Sequence, residues 1–138
     1  MNGIEWIVEA HGCAPELLRD LNRLRRLFNE IIEELKLRPV GETQWHQFPQ
    51  TGGITGLCLL AESHLAVHTF PEFQSLCLNL FCCLPRREWD FAAHLTKLVR
   101  ANSTTVRSVA RPYVPVAESS EGEPQPVPTS LPFGSAAR

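Results

Sequence analysis

The sequence predicts an α+β fold, a two-layer α/β sandwich in which two long helices cover one face of a mainly antiparallel sheet. Two observations lead to this prediction. Segments with strand periodicity follow one another through the middle of the chain, and a segment with helical periodicity lies on each side of them. Consecutive strands commonly pair antiparallel and leave one face for helices to cover. A chain of 138 residues is long enough for one core of this kind.

The first half of the chain is predicted to contain a strand, a long helix and a second strand. Residues 3–10 alternate between apolar and polar positions, as in a strand with one wet face. Leucine, isoleucine and phenylalanine recur at helical spacing over 14–36, which predicts the longer helix. Pro39 and Gly41 break this pattern, and a polar strand is expected over 42–48.

The second half is predicted to be a run of strands followed by a helix and a last strand. Apolar residues fill 54–61 and 76–83, so both segments are expected to be buried strands. An alternating segment that ends near Pro71 lies between them. Helical spacing then predicts the second helix over 86–100, and alternation predicts the final strand near 104–110.

The character of the sequence changes after this last strand. Proline is frequent in 112–138, where it is mixed with serine, glutamate and glycine. Such a segment cannot bury enough apolar surface to offset the loss of chain entropy. We therefore expect a single domain over 1–111 and a disordered tail over 112–138.

The composition argues against several classes of protein. A formal net charge of −2 gives no strong attraction to nucleic acid or to anionic membranes. No apolar run approaches the roughly 18 residues of a membrane helix, and the first residues lack the basic region of a secretory signal. We expect a cytoplasmic protein without a nucleic-acid or membrane partner.

The five cysteines do not suggest a disulfide framework. Their number is odd and no secretory signal accompanies them, and none stands in a CxxC pair, which argues against a zinc ribbon. Cys58 and Cys77 lie in apolar strands and are expected to be buried. Cys82 is also expected in the core, with its neighbour Cys83 pointing to the other face.

The segment AESHLAVHTFPE, residues 61–72, holds more reactive groups than a strand needs. Three interpretations follow from the residues alone. Ser63 and the histidines are polar residues at strand ends; or His64, His68 and Cys83 bind a metal; or a serine or cysteine nucleophile acts with a histidine base. A metal site would need a third regularly spaced ligand, and a hydrolase would need a carboxylate to orient the histidine, so neither is predicted.

The string ITGLCLLAESHLAVHTFPE, followed by NLFCC, resembles the bacterial S-adenosylmethionine decarboxylase proenzymes. That family carries a pattern close to GVSGVVxxxESHLxxHTWPE and then a DxFTCG strand. The resemblance extends over about 1–110 of this chain. Departures from the pattern include Phe70 for Trp, Asn79 for Asp, Cys82 for Thr and Leu84 for Gly.

The resemblance implies a self-processing, pyruvoyl-dependent carboxy-lyase. It implies that the chain cuts itself between Glu62 and Ser63, and that Ser63 becomes a covalent pyruvoyl cofactor that forms a Schiff base with the substrate amine. It further implies that His68 is the base of the processing step and Cys83 the proton donor of the decarboxylation. An imidazole and a thiol suit these tasks, because both exchange protons near neutral pH.

The substrate implied is S-adenosylmethionine, whose decarboxylated product serves spermidine biosynthesis, and the assembly implied is a dimer of cleaved protomers. Phe48 and Phe70 are expected to stack on the adenine or face the sulfonium cation, and Glu72 to accept hydrogen bonds from hydroxyl groups. Pyruvoyl enzymes that act on arginine or ornithine form one alternative. A relative that only binds a ligand forms another.

Strand alternation raises one difficulty for these roles. Ser63 and His68 are five residues apart, so a regular strand points them to opposite faces. We expect a bulge or turn at Ser63 that brings the two side chains together.

Overall fold

The computed structural model describes residues 2–115, which fold around one antiparallel sheet. The six strands of this sheet are β1 (Asn2–His11), β2 (Gln44–Gln47), β3 (Ile54–Leu60), β4 (Ser63–Phe70), β5 (Ser75–Cys82) and β6 (Ser103–Pro112). Their order across the sheet is β2-β3-β4-β5-β1-β6, and every neighbouring pair is antiparallel. The predicted α+β fold class is confirmed.

The helices are shorter than the sequence predicted. They are α1 (Pro15–Leu18), α2 (Leu21–Glu34) and α3 (Phe91–Val99), and a short 3₁₀ turn covers Pro71–Phe73. The helix expected over 14–36 is divided because Asp20 starts a new helix, its carboxylate accepting a hydrogen bond from the Asn22 N–H at 3.0 Å. The helix expected over 86–100 begins later, because Asp90 caps α3 in the same way through the Ala93 N–H at 3.0 Å.

The core lies between the helices and one face of the sheet. Alternate residues of the central strands point into it, including Trp6 and Val8 of β1 and Leu78 and Leu80 of β5, all almost fully buried. Thr69 is the one buried polar side chain among the described residues. Its hydroxyl accepts from the Ile54 N–H and donates to a carbonyl of α1, both at 2.8 Å, so it ties that helix to β3 and β4.

The opposite face of the sheet carries no helix within residues 2–115, and we call it the open face. Its apolar members include Leu57 and Leu59, which are 49% and 59% exposed. The side chains of the open face are Thr55, Leu57 and Leu59 of β3, His64, Ala66 and His68 of β4, Cys77, Asn79 and Phe81 of β5, Glu5, Ile7 and Glu9 of β1, and Arg107, Val109 and Arg111 of β6.

The cysteine predictions divide along these two faces. Cys58 and Cys82 are buried, as expected. The prediction for Cys77 is wrong, since its thiol is exposed on the open face. The apolar run around Cys77 suggested burial on both sides of the strand, whereas helices cover only one side.

The last strand extends slightly past the predicted domain boundary. β6 ends at Pro112, one residue beyond the expected domain of 1–111. The predicted disordered tail lies almost wholly in 116–138, outside the described residues. Among the helices of the described part of the chain, none has both the length and the apolar character needed to cross a lipid bilayer.

Candidate active site

The candidate cleavage site lies in the tight turn between β3 and β4. Ala61 and Glu62 form this turn, and the strands close on either side of it with Leu60 paired to Ser63. The carbonyl oxygen of Glu62 accepts a hydrogen bond from the backbone N–H of Cys83 at 3.0 Å. The peptide carbonyl before Ser63 is therefore polarised by the residue that the resemblance implies as proton donor.

Ser63 stands directly opposite Cys82 of β5 in the register of the sheet. Burial raises the pKa of the Cys82 thiol, an effect that the positive charge of Arg86 and a hydrogen bond from the Ser63 hydroxyl only partly offset. Cys82 therefore keeps its proton at neutral pH. Cys83 follows directly after the end of β5 and is half-buried, whereas Cys82 is buried in the core.

His68 lies near the other end of β4, on the open face. Its Nδ1 atom is 3.2 Å from the hydroxyl of Thr55 on β3. Thr55 occupies the serine position of the family pattern GVSG, so the sequence did contain a signal for this neighbour, although the motif alone gave it no role.

The pocket beside His68 gathers the three residues predicted to bind substrate. Phe48, Phe70 and Glu72 line it together with Thr51, Thr55, His68 and Thr69, and its volume is about 310 Å³. Phe48 and Phe70 are 47% and 37% exposed, so each offers part of an aromatic surface. This size lies at the lower end of the range for small-molecule sites.

The expected bulge at Ser63 is absent. β4 pairs residue by residue with β5 from Ser63 to Phe70 and with β3 from Ser63 to His68, without an extra residue on any strand. Five residues at the rise of a strand separate Ser63 from His68 by about 16 Å, and the two side chains point to opposite faces.

One chain therefore presents two half-sites. We call them the cleavage half-site, which consists of Glu62, Ser63, Cys82 and Cys83, and the pocket half-site, which consists of Phe48, Thr55, His68, Phe70 and Glu72.

His64, to which the sequence assigned no role, belongs to a hydrogen-bonded network on the open face. Its Nε2 atom lies 3.1 Å from the amide oxygen of Asn79, whose Nδ2 donates to Glu5 at 2.7 Å. The ring of His64 also stacks on Phe81, with centroids 5.6 Å apart. The hydrogen bond from Asn79, together with Arg111, lowers the pKa of Glu5 despite its partial burial. Asn79 replaces an acidic residue of the family pattern and supplies the donor that Glu5 uses.

The metal interpretation finds no support in this arrangement. Across residues 2–115 no three histidine, cysteine or acidic side chains come together as a metal would require. The imidazole of His64 is directed at Asn79 and that of His68 at Thr55. The two histidines therefore have different hydrogen-bond partners on the open face.

Comparison with known proteins points to one family. The family model described as S-adenosylmethionine decarboxylase matches residues 4–112. The S-adenosylmethionine decarboxylase proenzyme of Thermococcus gammatolerans is 32% identical over 110 residues, which cover 79% of this chain and 76% of that protein. The proenzyme of Caldicellulosiruptor saccharolyticus is 33% identical over 114 residues, which cover 79% of this chain and 87% of the relative.

A solved structure shares the fold. The crystal structure of the adenosylmethionine decarboxylase from Aquifex aeolicus superposes with a TM-score of 0.66 at 19% sequence identity, over 88% of this chain and 98% of that one. The superposition therefore covers nearly all of the second protein.

Proposed function

The chain belongs to the S-adenosylmethionine decarboxylase family, and from this premise we propose that it cuts its own backbone between Glu62 and Ser63 and decarboxylates its substrate with a pyruvoyl group made from Ser63. The enzyme is a carboxy-lyase. It converts S-adenosylmethionine to carbon dioxide and decarboxylated S-adenosylmethionine, the aminopropyl donor of spermidine biosynthesis. The Thermococcus and Caldicellulosiruptor relatives are both called proenzymes, which agrees with a chain that is processed before it acts.

The proposed processing begins with an acyl shift at the turn. The Ser63 oxygen bonds to the Glu62 carbonyl carbon, the amide bond breaks, and the proton of the hydroxyl ends on the freed Ser63 amine. A base then removes the α-proton of Ser63; the electron pair forms a carbon–carbon double bond and expels the Glu62 carboxylate. Addition of water and loss of ammonia leave a ketone at residue 63, so the whole sequence uses one water and needs no oxidant.

One contact supports this proposal most directly, the hydrogen bond from the Cys83 N–H to the Glu62 carbonyl oxygen at 3.0 Å. Attack by the Ser63 hydroxyl places negative charge on that oxygen, and a backbone donor already aimed at it stabilises the charge. The Cys82 thiol stands opposite Ser63 in the sheet and keeps its proton, because burial raises its pKa. The residues around the turn thus fit a site at which serine attacks its own peptide bond.

In the decarboxylation we assign Cys83 the role of proton donor. A pyruvoyl group supplies an electrophilic carbonyl that binds the substrate amine and accepts the electron pair released with carbon dioxide. The substrate carbon must then receive a proton. Cys83 follows Cys82, which is paired with residue 63; it is half-buried, and its thiol is a group that can transfer a proton.

We assign the pocket half-site to the adenosyl part of the substrate. Phe48 and Phe70 offer aromatic surfaces for the adenine ring or the sulfonium cation. Glu72 supplies a carboxylate that can accept hydrogen bonds from both ribose hydroxyls. Arginine and ornithine have no aromatic base or ribose diol, so the lining of this pocket favours the larger substrate.

A second copy of the chain would complete the site. The pocket half-site and the cleavage half-site lie at opposite ends of β4, and His68 cannot reach Ser63 within one chain. If two open faces pack about a two-fold axis with their β4 strands antiparallel, each His68 lies over the Ser63 end of its partner. The exposed Leu57 and Leu59 of the open face would be buried by this contact. We therefore propose a homodimer in which His68 acts as processing base on the partner chain.

Two measurements test the proposed function. Mass spectrometry of the purified protein is expected to show fragments of residues 1–62 and 63–138, the second with an N-terminal pyruvoyl group. Carbon dioxide release is expected with S-adenosylmethionine and not with arginine or ornithine. A chain that stays intact at 15.5 kDa after prolonged incubation would contradict self-processing and favour a relative that only binds ligand.

A further inference from the structure

The turn at the cleavage site is held on its outer side by the segment 38–40, which follows α2. The N–H of Ala61 donates to the carbonyl oxygen of Arg38 at 2.8 Å. The guanidinium of Arg38 also reaches the side chain of Glu62, with 3.3 Å between Nη2 and Oε1. Arg38 is therefore a cation bound directly to the residue on the carbonyl side of the scissile bond.

In the intact chain this ion pair contributes little. The side chains of Arg38 and Glu62 are 73% and 48% exposed, and pairs in water are weakened by solvent and salt. The hydrogen bond from the Ala61 N–H to the Arg38 carbonyl holds the turn whether or not the arginine side chain is present. The Arg38 side chain therefore contributes little to the stability of the uncleaved chain.

Cleavage changes the charge at this point. When the bond after Glu62 breaks, Glu62 gains a terminal carboxylate and carries two negative charges in place of one. The new carboxylate includes the oxygen that accepts the Cys83 N–H. Two anionic groups on one residue favour its movement away from the turn unless a cation stays beside them.

We infer that Arg38 is a positioning residue that retains the new C-terminus at Glu62 after self-cleavage. By holding this carboxylate on the Cys83 N–H, it fixes the backbone of the residue assigned as proton donor. The inference rests on the proposed function, since the new carboxylate exists only if the chain cuts itself. It assigns Arg38 no contact with substrate.

The test compares Arg38→Gln in the self-cleaved protein and in an uncleavable Ser63→Ala background, at equal protein concentrations. In the cleaved protein the substitution is expected to lower Tm by about 3–5 °C, and in the uncleaved protein by about 1 °C or less. Arg38→Lys keeps the charge and is expected to retain most of the stability. Arg25→Gln, a change at an exposed arginine of α2, is the matched control and is expected to affect both forms equally.

Steady-state kinetics add a functional readout. Arg38→Gln is expected to reduce kcat of the cleaved enzyme about three- to tenfold while KM changes by less than about twofold, because proton transfer is disturbed and substrate contacts are not. Equal Tm shifts in the cleaved and uncleaved proteins, with kcat unchanged, would overturn the inference and leave the proposed function intact. A wild-type chain that never cleaves would overturn both.

Discussion

Ser63 and His68 lie on opposite faces of one regular strand, about 16 Å apart by the rise of β4. Ser63 faces the helix layer beside Cys82, and His68 faces the open side beside Thr55. A base and the residue on which it acts cannot be so arranged within one chain. If His68 is the processing base, it acts on a partner.

This relationship predicts complementation between two inactive variants. His68→Ala and Ser63→Ala are each expected to remain uncut when expressed alone. When they are expressed together, the His68→Ala chain is expected to be cut by the histidine of its partner. With random pairing, about a quarter of all chains would be cleaved. Mass spectrometry of differently tagged chains measures which chain is cut.

The control replaces the Ser63→Ala partner by a chain that carries both substitutions, which supplies no histidine and is expected to give no cleavage. Isolated mixed dimers that stay uncut would contradict action across the interface. Normal cleavage of His68→Ala alone would remove His68 from the processing step altogether.

Cys83→Ala separates processing from turnover. The backbone N–H of residue 83 remains on the Glu62 carbonyl oxygen after this substitution, so self-cleavage is expected to proceed. Loss of the thiol removes the proton donor, and kcat is expected to fall about 10²- to 10⁴-fold. Fragment analysis and carbon dioxide release measure the two effects. Cys58→Ala, at a buried thiol of β3 on the face away from the proposed interface, is the control and is expected to keep near-normal turnover.

Glu72→Gln tests the pocket half-site. Glu72 lines the pocket beside His68 and lies away from the cleavage turn, so self-cleavage is expected to be unchanged. A carboxylate that accepts hydroxyl hydrogen bonds is worth more than a neutral amide, and KM for S-adenosylmethionine is expected to rise about tenfold. Glu42→Gln, at an exposed position outside this pocket, is the control. An unchanged KM would remove Glu72 from substrate binding.

Much of the fold follows from short-range patterns, and the exceptions have identifiable causes. Alternation and helical spacing located all six strands and the helical regions, because burial on one face imposes those periods. The division of the first helix depended on Asp20, which supplied a cap inside an otherwise unbroken apolar pattern. Cys77 was misassigned because an apolar strand does not reveal which of its faces the helices leave uncovered.

Only part of the candidate site could be predicted from the sequence motif. The motif predicted roles for Ser63, His68 and Cys83 but gave no information about the distances between them, which depend on the register of β4. Arg38 carries no motif signal at all. It reaches Glu62 only because the segment after α2 runs beside the end of β3, a contact between residues 24 positions apart.

Glu30→Gln is expected to destabilise the fold in a pH-dependent manner. Glu30 of α2 accepts hydrogen bonds from His94 of α3 at 2.8 Å and from Arg26 at 3.1 Å, and Lys97 lies 3.6 Å away. Burial alone would raise the pKa of Glu30, but these bonds and charges outweigh it and lower the pKa below the ordinary 4.5. A carboxylate with a lowered pKa in the folded state stabilises that state above its ordinary pKa.

The stabilisation is therefore present at pH 7 and is lost as pH falls from about 4.5 through the lower pKa of the folded protein. At pH 7, Glu30→Gln is expected to cost about 1 kcal/mol, or roughly 5 °C in Tm. Thermal unfolding at a series of pH values should show this difference shrinking below pH 4.5. Glu33→Gln, at an exposed position on α2, is expected to show little difference at any pH. If the Tm difference between the wild type and Glu30→Gln does not shrink in acid, the Glu30 side chain supports α2 and α3 through packing and not through its charge.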